Sequence, residues 1–141
     1  MIGIIIVTHG RLAEELLAAA ELIVGKMENC VAVSISPDED MDKAEARIGG
    51  AIRKVNLGKG VLILTDLFGG TPSNLSLTFL EAGQVEVLSG ANLPMLLSLA
   101  TSRDDKSLIE TADMALEAGR NNITLASRIL NIKVAPRKKE E

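Results

Sequence analysis

Two polar side chains follow apolar runs at points where strands of a parallel sheet would end. His9 comes after the β-branched run Ile2–Val7, and Asp66 follows the apolar run Val61–Leu64. Ligands of open α/β sheets bind beyond the carboxyl ends of the strands. If these two strands are neighbours, the carboxylate can accept a hydrogen bond from one imidazole nitrogen and leave the other nitrogen free to act as a nucleophile. The pattern therefore predicts a histidine nucleophile held by an aspartate.

The residues near this pair suit a phosphoryl group. Gly10 opens a predicted helix whose first N–H groups have no partners within the helix. Gly69 and Gly70 allow a second loop to expose its amides as an anion-binding nest, and Thr71 and Ser73 add hydroxyl donors. Because peptide dipoles would balance the charge, we expect neither a metal ion nor a cofactor.

Each of these features taken singly has a plainer structural interpretation. A histidine at a strand end is more often an ordinary loop residue, and Asp66 could be a turn or cap residue. The segment Gly69–Pro72 is by itself more often a simple strand-to-helix turn. The combination at one edge of the predicted sheet favours chemistry at His9.

Strand-like and helix-like segments alternate along the chain. The predicted strands are residues 2–7, 31–35, 61–64 and 85–88, with helical patterns between and after them. Pro72 suits a first helical position with Thr71 as its cap, and Gly119 is expected to end an amphipathic helix over Ser107–Glu117. The stretch Arg103–Asp105 is typical of a helix-end charge cluster. This alternation predicts right-handed crossovers and a mostly parallel α/β sheet.

The composition limits the class of protein. The 141 residues are 47% hydrophobic and 24% charged, which is typical of one soluble domain, here residues 1–135 with a charged tail at 136–141. The net charge of -4 and the presence of only two aromatic residues, Phe68 and Phe79, argue against nucleic-acid binding. The single cysteine, Cys30, suggests a reducing compartment. No apolar run is long enough for a signal peptide or a membrane span, so we expect a cytoplasmic protein with no direct membrane insertion.

Three segments together resemble one known family. The segments Val7–Gly10, Asp66 with Gly69–Asn74, and Gly90–Leu96 resemble the signature loops of mannose-type IIA domains. These domains belong to the bacterial phosphoenolpyruvate-dependent sugar phosphotransferase system. The similarity covers residues 1–119 in the family's order and spacing.

The resemblance implies a phosphocarrier. His9 would receive a phosphoryl group from the carrier protein HPr, and Asp66 would hydrogen-bond His9. Thr71 and Ser73 would lie beside the phosphate. The acceptor would be a histidine of a IIB component, and sugar would be phosphorylated later, during transport. No IIB domain follows in this sequence, so we expect IIB to be a separate polypeptide.

The resemblance also implies a fold and an assembly. The family fold is a doubly wound α/β domain with strand order 2-1-3-4. Its members commonly form homodimers that exchange an antiparallel C-terminal strand. Residues 123–134, whose pattern fits either a helix or a fifth strand, could supply that strand. We expect apolar residues such as Leu12, Leu67 and Met95 to touch partner proteins.

Two alternative functions use the same residues. A regulatory phospho-sensor would also be phosphorylated on His9. An aspartate-phosphorylated receiver domain would instead use Asp66. Receiver chemistry needs acidic magnesium ligands after the first strand, where this chain has Thr8 and His9.

Overall fold

Four parallel strands form the centre of the fold, and Cys30–Ile35, Gly3–His9, Val61–Thr65 and Val85–Ser89 lie side by side in that order. The computed structural model describes residues 1–133. The strands are β1 (Gly3–His9), β2 (Cys30–Ile35), β3 (Val61–Thr65) and β4 (Val85–Ser89). The helices are α1 (Leu12–Val24), α2 (Met41–Val55), α3 (Gly70–Leu77), α4 (Leu93–Ser102), α5 (Leu108–Asn121) and α6 (Ala126–Ile129). The predicted doubly wound, mostly parallel fold and its strand order are confirmed.

The sheet is buried on both faces, which explains its β-branched strands. Ile4 and Ile6 pack into one apolar core with residues of α1, α4 and α5. Ile5 and Val7 point the other way, into a second core built with α2 and α3. Successive side chains of a strand alternate between faces, so a strand covered on both sides must be apolar at nearly every position. Full burial of each such side chain contributes about 1.5 to 3 kcal/mol.

The strand register brings the carboxyl ends of β1 and β3 together. Val7 pairs with Thr65 in β3, and His9 pairs with Ile35 in β2. Asp66 is the residue directly after β3. The two residues singled out by the sequence therefore lie at the same edge of neighbouring strands, as predicted.

The start of α3 differs from the prediction. The helix begins at Gly70 with Gly69 at its N-cap, so Pro72 is not its first residue and Thr71 is not its cap. The cause is the backbone of the glycine pair, which has φ values of 114° and 79°. Only glycine adopts such angles readily, and the chain turns into the helix there rather than at Thr71.

The predicted end of α5 was also wrong. The helix continues through Gly119 to Asn121. A Cβ at Gly119 would lie 2.5 Å from Cε of Met95, so the glycine allows close packing of α5 against α4. Gly119 therefore allows the two helices to approach closely and does not end α5.

The C-terminal segment contains one helical turn in its described part. Residues 123–133 contain α6, and no strand beyond β4 occurs in residues 1–133. Val134 and the tail at 136–141 lie outside the described residues. An exchanged fifth strand in a homodimer stays a prediction. Of the helices within residues 1–133, none has the length and hydropathy needed to cross a bilayer.

Candidate functional site

His9 and Asp66 form a close pair at the carboxyl edge of the sheet. His9 Nδ1 lies 2.8 Å from Asp66 Oδ2, and the backbone N–H of His9 donates to the same oxygen at 3.1 Å. The imidazole is half exposed, with 52% of its side-chain surface accessible, whereas the carboxylate is 12% exposed. The carboxylate is therefore the buried partner of the pair, and the imidazole is accessible to solvent.

The acceptor defines which nitrogen of the ring carries the proton. An ionised carboxylate can only accept hydrogen bonds, so the neutral ring carries its proton on Nδ1, and this N–H donates a hydrogen bond to Asp66. Nε2 then keeps its lone pair, which leaves this nitrogen available to act as a nucleophile.

Asp66 is held in its ionised form. Partial burial raises its pKa, but the hydrogen bonds from the ring and backbone of His9 and the charge of His9 lower it, and the pKa lies below its usual value. The second oxygen, Oδ1, accepts from the N–H of Leu67 at 3.1 Å. Both carboxylate oxygens are thus fixed, which sets the direction of the imidazole.

Gly70 lies directly against the nucleophilic edge of the ring. A Cβ at this position would be 3.1 Å from both Cε1 and Nε2 of His9. The N-terminus of α3 therefore approaches Nε2 closely because residue 70 has no side chain. Backbone N–H groups at a helix N-terminus favour an anion there.

The start of α1 offers fewer free amides than the sequence suggested. The N–H of Gly10 donates to the carbonyl of Ile35 at 2.9 Å, and the N–H of Ala13 donates to Thr8 Oγ1 at 2.6 Å. Thr8, which the sequence analysis placed directly after the first strand, is a fully buried residue whose hydroxyl accepts from this helix amide. Gly10 lines the site, but its own amide already has an acceptor.

A cavity of about 490 Å³ opens beside His9. Gly10, Thr71 and Pro72 line it on the strand and α3 side. The rest of the lining comes from the end of β2, the following loop and the first residue of α2, a part of the site that the sequence analysis missed. These lining residues are Ile35, Ser36, Pro37, Glu39 and Met41.

The structure separates the two predicted hydroxyl donors. Thr71 lines the cavity with His9. Ser73 lies in the first turn of α3 and is fully buried, and its hydroxyl has no hydrogen-bond partner within the described part of the chain. Its role as a phosphate ligand stays a prediction.

Exposed apolar side chains lie close to both members of the pair in the sequence. Leu12 and Leu67 are 45% and 51% exposed, and Phe68, which the sequence analysis did not single out as a contact, is 77% exposed. Met95 is 4% exposed beneath α5, so its predicted contact with partners was wrong.

The geometry does not supply the ligands that receiver chemistry would use. Among residues 1–133, no three histidine, cysteine, aspartate or glutamate side chains are grouped to hold a metal ion. Asp66 directs Oδ2 to His9 and Oδ1 to the N–H of Leu67. The pair suits transfer at the imidazole better than transfer at the carboxylate.

Comparisons with known proteins identify the family of the chain. A family model described as PTS system fructose IIA component matches residues 3–116. The chain is 36% identical over 124 residues to the PTS system mannose-specific EIIAB component of Escherichia coli K12, covering 86% of this chain and 38% of that protein. The chain thus spans little more than a third of that relative's length.

Two shorter proteins are similar over most of their own length. The PTS system fructose-specific EIIA component of Bacillus subtilis is 31% identical over 109 residues, covering 77% of this chain and 75% of that protein. The crystal structure of phosphotransferase system component EIIA from Streptococcus agalactiae has a TM-score of 0.81 and 32% identity, covering 91% of this chain and 99% of the other.

Proposed function

Because the chain belongs to the mannose-type IIA family of the sugar phosphotransferase system, we propose that it carries a phosphoryl group on Nε2 of His9. The observation that carries this proposal is the 2.8 Å contact between His9 Nδ1 and Asp66 Oδ2. That contact keeps the proton on Nδ1 and leaves Nε2 as the attacking atom.

The proposed donor is the phosphorylated carrier protein HPr. Nε2 of His9 attacks the phosphorus atom, so a new N–P bond forms as the bond between phosphorus and the donor's histidine nitrogen breaks. The donor ring keeps the electron pair of the broken bond. His9 gains positive character while its Nδ1–H remains hydrogen-bonded, and the Asp66 carboxylate balances that charge.

The phosphoryl oxygens need donors near Nε2. The close approach of Gly70 to Nε2 favours the first turn of α3 as the source of backbone donors. Thr71 borders the same cavity and offers a hydroxyl, and Ser73 follows in the same turn. Gly10 and Gly69 allow the backbone to turn before α1 and α3, since both residues have positive φ angles.

The proposed acceptor is a histidine of a IIB component. In that step the acceptor nitrogen attacks the same phosphorus atom and Nε2 of His9 leaves as a neutral imidazole nitrogen. The half-exposed ring and the exposed side chains of Leu67 and Phe68 fit alternating contact with two proteins. The reaction would take place in the cytoplasm, and sugar would be phosphorylated later by other components.

The test uses the intact chain with labelled phosphoenolpyruvate, enzyme I and HPr. We expect one phosphate per chain that is labile in acid and stable in alkali, as a phosphohistidine is, and the labelled histidine must be His9 because the sequence contains a single histidine. His9→Ala, shown to be folded by circular dichroism, should take up none. Labelling of His9→Ala at the wild-type level, or no labelling of the folded wild-type chain, would overturn the proposed function.

A further inference from the structure

The loop between β2 and α2, residues 36–40, forms a wall of the cavity beside His9. Ser36, Pro37 and Glu39 line the cavity from this loop. Within the loop, the N–H of Glu39 donates to the carbonyl of Ser36 at 3.1 Å. The shape of the space in front of the imidazole therefore depends on where this short loop is held.

Arg47 of α2 connects this loop to the end of β2. Its Nη1 lies 2.7 Å and 2.8 Å from the two carboxylate oxygens of Glu39, and it donates to the backbone carbonyl of Ser34 at 3.0 Å. Glu39 is 14% exposed, so one partner of this ion pair is largely enclosed. The same contact lowers the pKa of Glu39, chiefly through the hydrogen bond from Arg47.

We propose that Arg47 is a positioning residue, which holds Glu39 and the 36–40 loop as a fixed wall of the cavity and thereby strengthens docking of the phosphoryl donor protein. This inference rests on the proposed phosphocarrier function. Arg47 acts through Glu39, while Asp66 holds the reacting ring from another side. Loss of Arg47 should therefore weaken docking and leave the chemistry at Nε2 nearly unchanged.

Charge adds to the effect of position. The transferred phosphoryl group is an anion, and Glu39 borders the cavity through which it arrives. Arg47 neutralises that carboxylate in place. Without the guanidinium, the Glu39 charge is free to move within the cavity, where it repels the phosphoryl group of the donor.

The test measures KM and kcat for phospho-HPr separately. Arg47→Met should raise KM about fivefold, a size expected for a partly enclosed ion pair, with kcat changed less than about twofold. Arg47→Lys keeps the charge, but its terminal nitrogen is one atom closer to the backbone than Nη1, the single nitrogen that makes all three contacts, so KM should rise about twofold. Lys54→Met is the matched control, because Lys54 is an exposed cation in the last turn of the same helix, and its KM should equal that of the wild type.

The double variant Glu39→Gln/Arg47→Met separates a shared role from two independent ones. If Arg47 acts through Glu39, the effects of the two substitutions on KM should not be additive. The ratio of KM between the double variant and Arg47→Met should then be smaller than the ratio between Glu39→Gln and the wild type. Amide hydrogen exchange of residues 38 and 39 should be faster in Arg47→Met than in the wild type and in Lys54→Met. This exchange measurement does not depend on phosphoryl transfer.

The outcomes distinguish this inference from the function on which it rests. Failure of the wild-type chain to accept a phosphoryl group would overturn the proposed function. If the wild type is labelled, three results would overturn the role of Arg47 and leave the proposed function standing. They are an unchanged KM in Arg47→Met, equal effects of Arg47→Met and Lys54→Met on KM, and additive effects in the double variant. If Arg47→Met does not fold, the KM and amide exchange of Arg47→Lys decide the matter.

Discussion

Replacement of Asp66 by asparagine removes a charge but can keep the hydrogen bonds to His9. The ring Nδ1–H and the backbone N–H of His9 both donate to one oxygen, Oδ2, and an asparagine carbonyl can accept both. The amide NH₂ would then face the N–H of Leu67, which donates to Oδ1 in the wild type. The variant therefore tests mainly the negative charge beneath the ring, with a minor penalty from two opposed donors.

The expected cost follows from the change in charge. A hydrogen bond to a charged group contributes about 1.5 to 3 kcal/mol, and a neutral one about 0.5 to 1.5 kcal/mol, so the ring bond loses about 1 to 1.5 kcal/mol. The developing charge on the half-exposed ring loses a similar amount of screened Coulomb attraction. A loss of about 2 to 3 kcal/mol in the transition state slows transfer about 30- to 150-fold.

The assay is single-turnover transfer from labelled phospho-HPr, followed by rapid quench at saturating donor. Circular dichroism and urea unfolding of Asp66→Asn show whether the variant is folded at the assay temperature. Asp66→Ala, which removes both acceptors, should be slower still. A folded Asp66→Asn chain that accepts the phosphoryl group within twofold of the wild-type rate would refute the reasoning about charge.

Three further predictions concern the neighbours of the ring and the pH dependence. Gly70→Ala should slow transfer at least about tenfold, because the new Cβ would lie 3.1 Å from the His9 ring and φ is +79°. The control Gly58→Ala, with φ +97° and nothing within 4 Å of the new Cβ, should lose stability without slowing transfer. Equal transfer rates in the two variants would contradict this prediction. Thr8→Val should lower the free energy of unfolding, measured in urea, by about 1 to 2 kcal/mol, because the buried N–H of Ala13 loses its acceptor. An unchanged midpoint and slope of the urea unfolding curve would show that this hydrogen bond is dispensable. The pKa of Asp66 is lowered in the folded chain from its ordinary value of 3.8, so its carboxylate stabilises the fold above that pH and this stability is lost as the pH falls through the folded pKa. The difference in unfolding free energy between wild type and Asp66→Asn should therefore shrink as the pH falls below about 3.8, and a difference that grows in that range would be inconsistent with an ionised Asp66.

The strands could be predicted because they are buried on both faces. The run Ile2–Val7 is apolar at every position except Gly3, which is the pattern that two covering layers of helices require. The end of β1 was placed too early, since Thr8 is polar. Its hydroxyl is satisfied by the N–H of Ala13, and no local pattern in the sequence indicates such a contact.

The pairing of His9 with Asp66 depended on strand order, which the residues alone left open. Side-chain patterns show that a segment is a strand but not which strand lies beside it. The order came from the family resemblance, and the structure agrees with it. Once β1 and β3 are neighbours, the positions of His9 and Asp66 follow from the register.

Contacts between distant segments account for most of what the sequence analysis missed. Arg103, interpreted as part of a helix-end charge cluster, is 4% exposed and donates to the backbone carbonyls of Ile2 and Glu28 at the opposite edge of the sheet. The wall formed by the 36–40 loop also went unnoticed, because Glu39 and Arg47 are eight residues apart and belong to no helical spacing. Such contacts are created by the fold and leave no periodic signal.

The most direct test of the central claim is to identify the ring nitrogen that carries the phosphoryl group. The chain labelled with ¹⁵N in its single histidine is phosphorylated through HPr and examined by long-range ¹H–¹⁵N NMR correlation and ³¹P NMR. The phosphoryl group should be on Nε2, with a proton retained on Nδ1 beside Asp66. A phosphoryl group on Nδ1, or on a residue other than His9, would contradict the account.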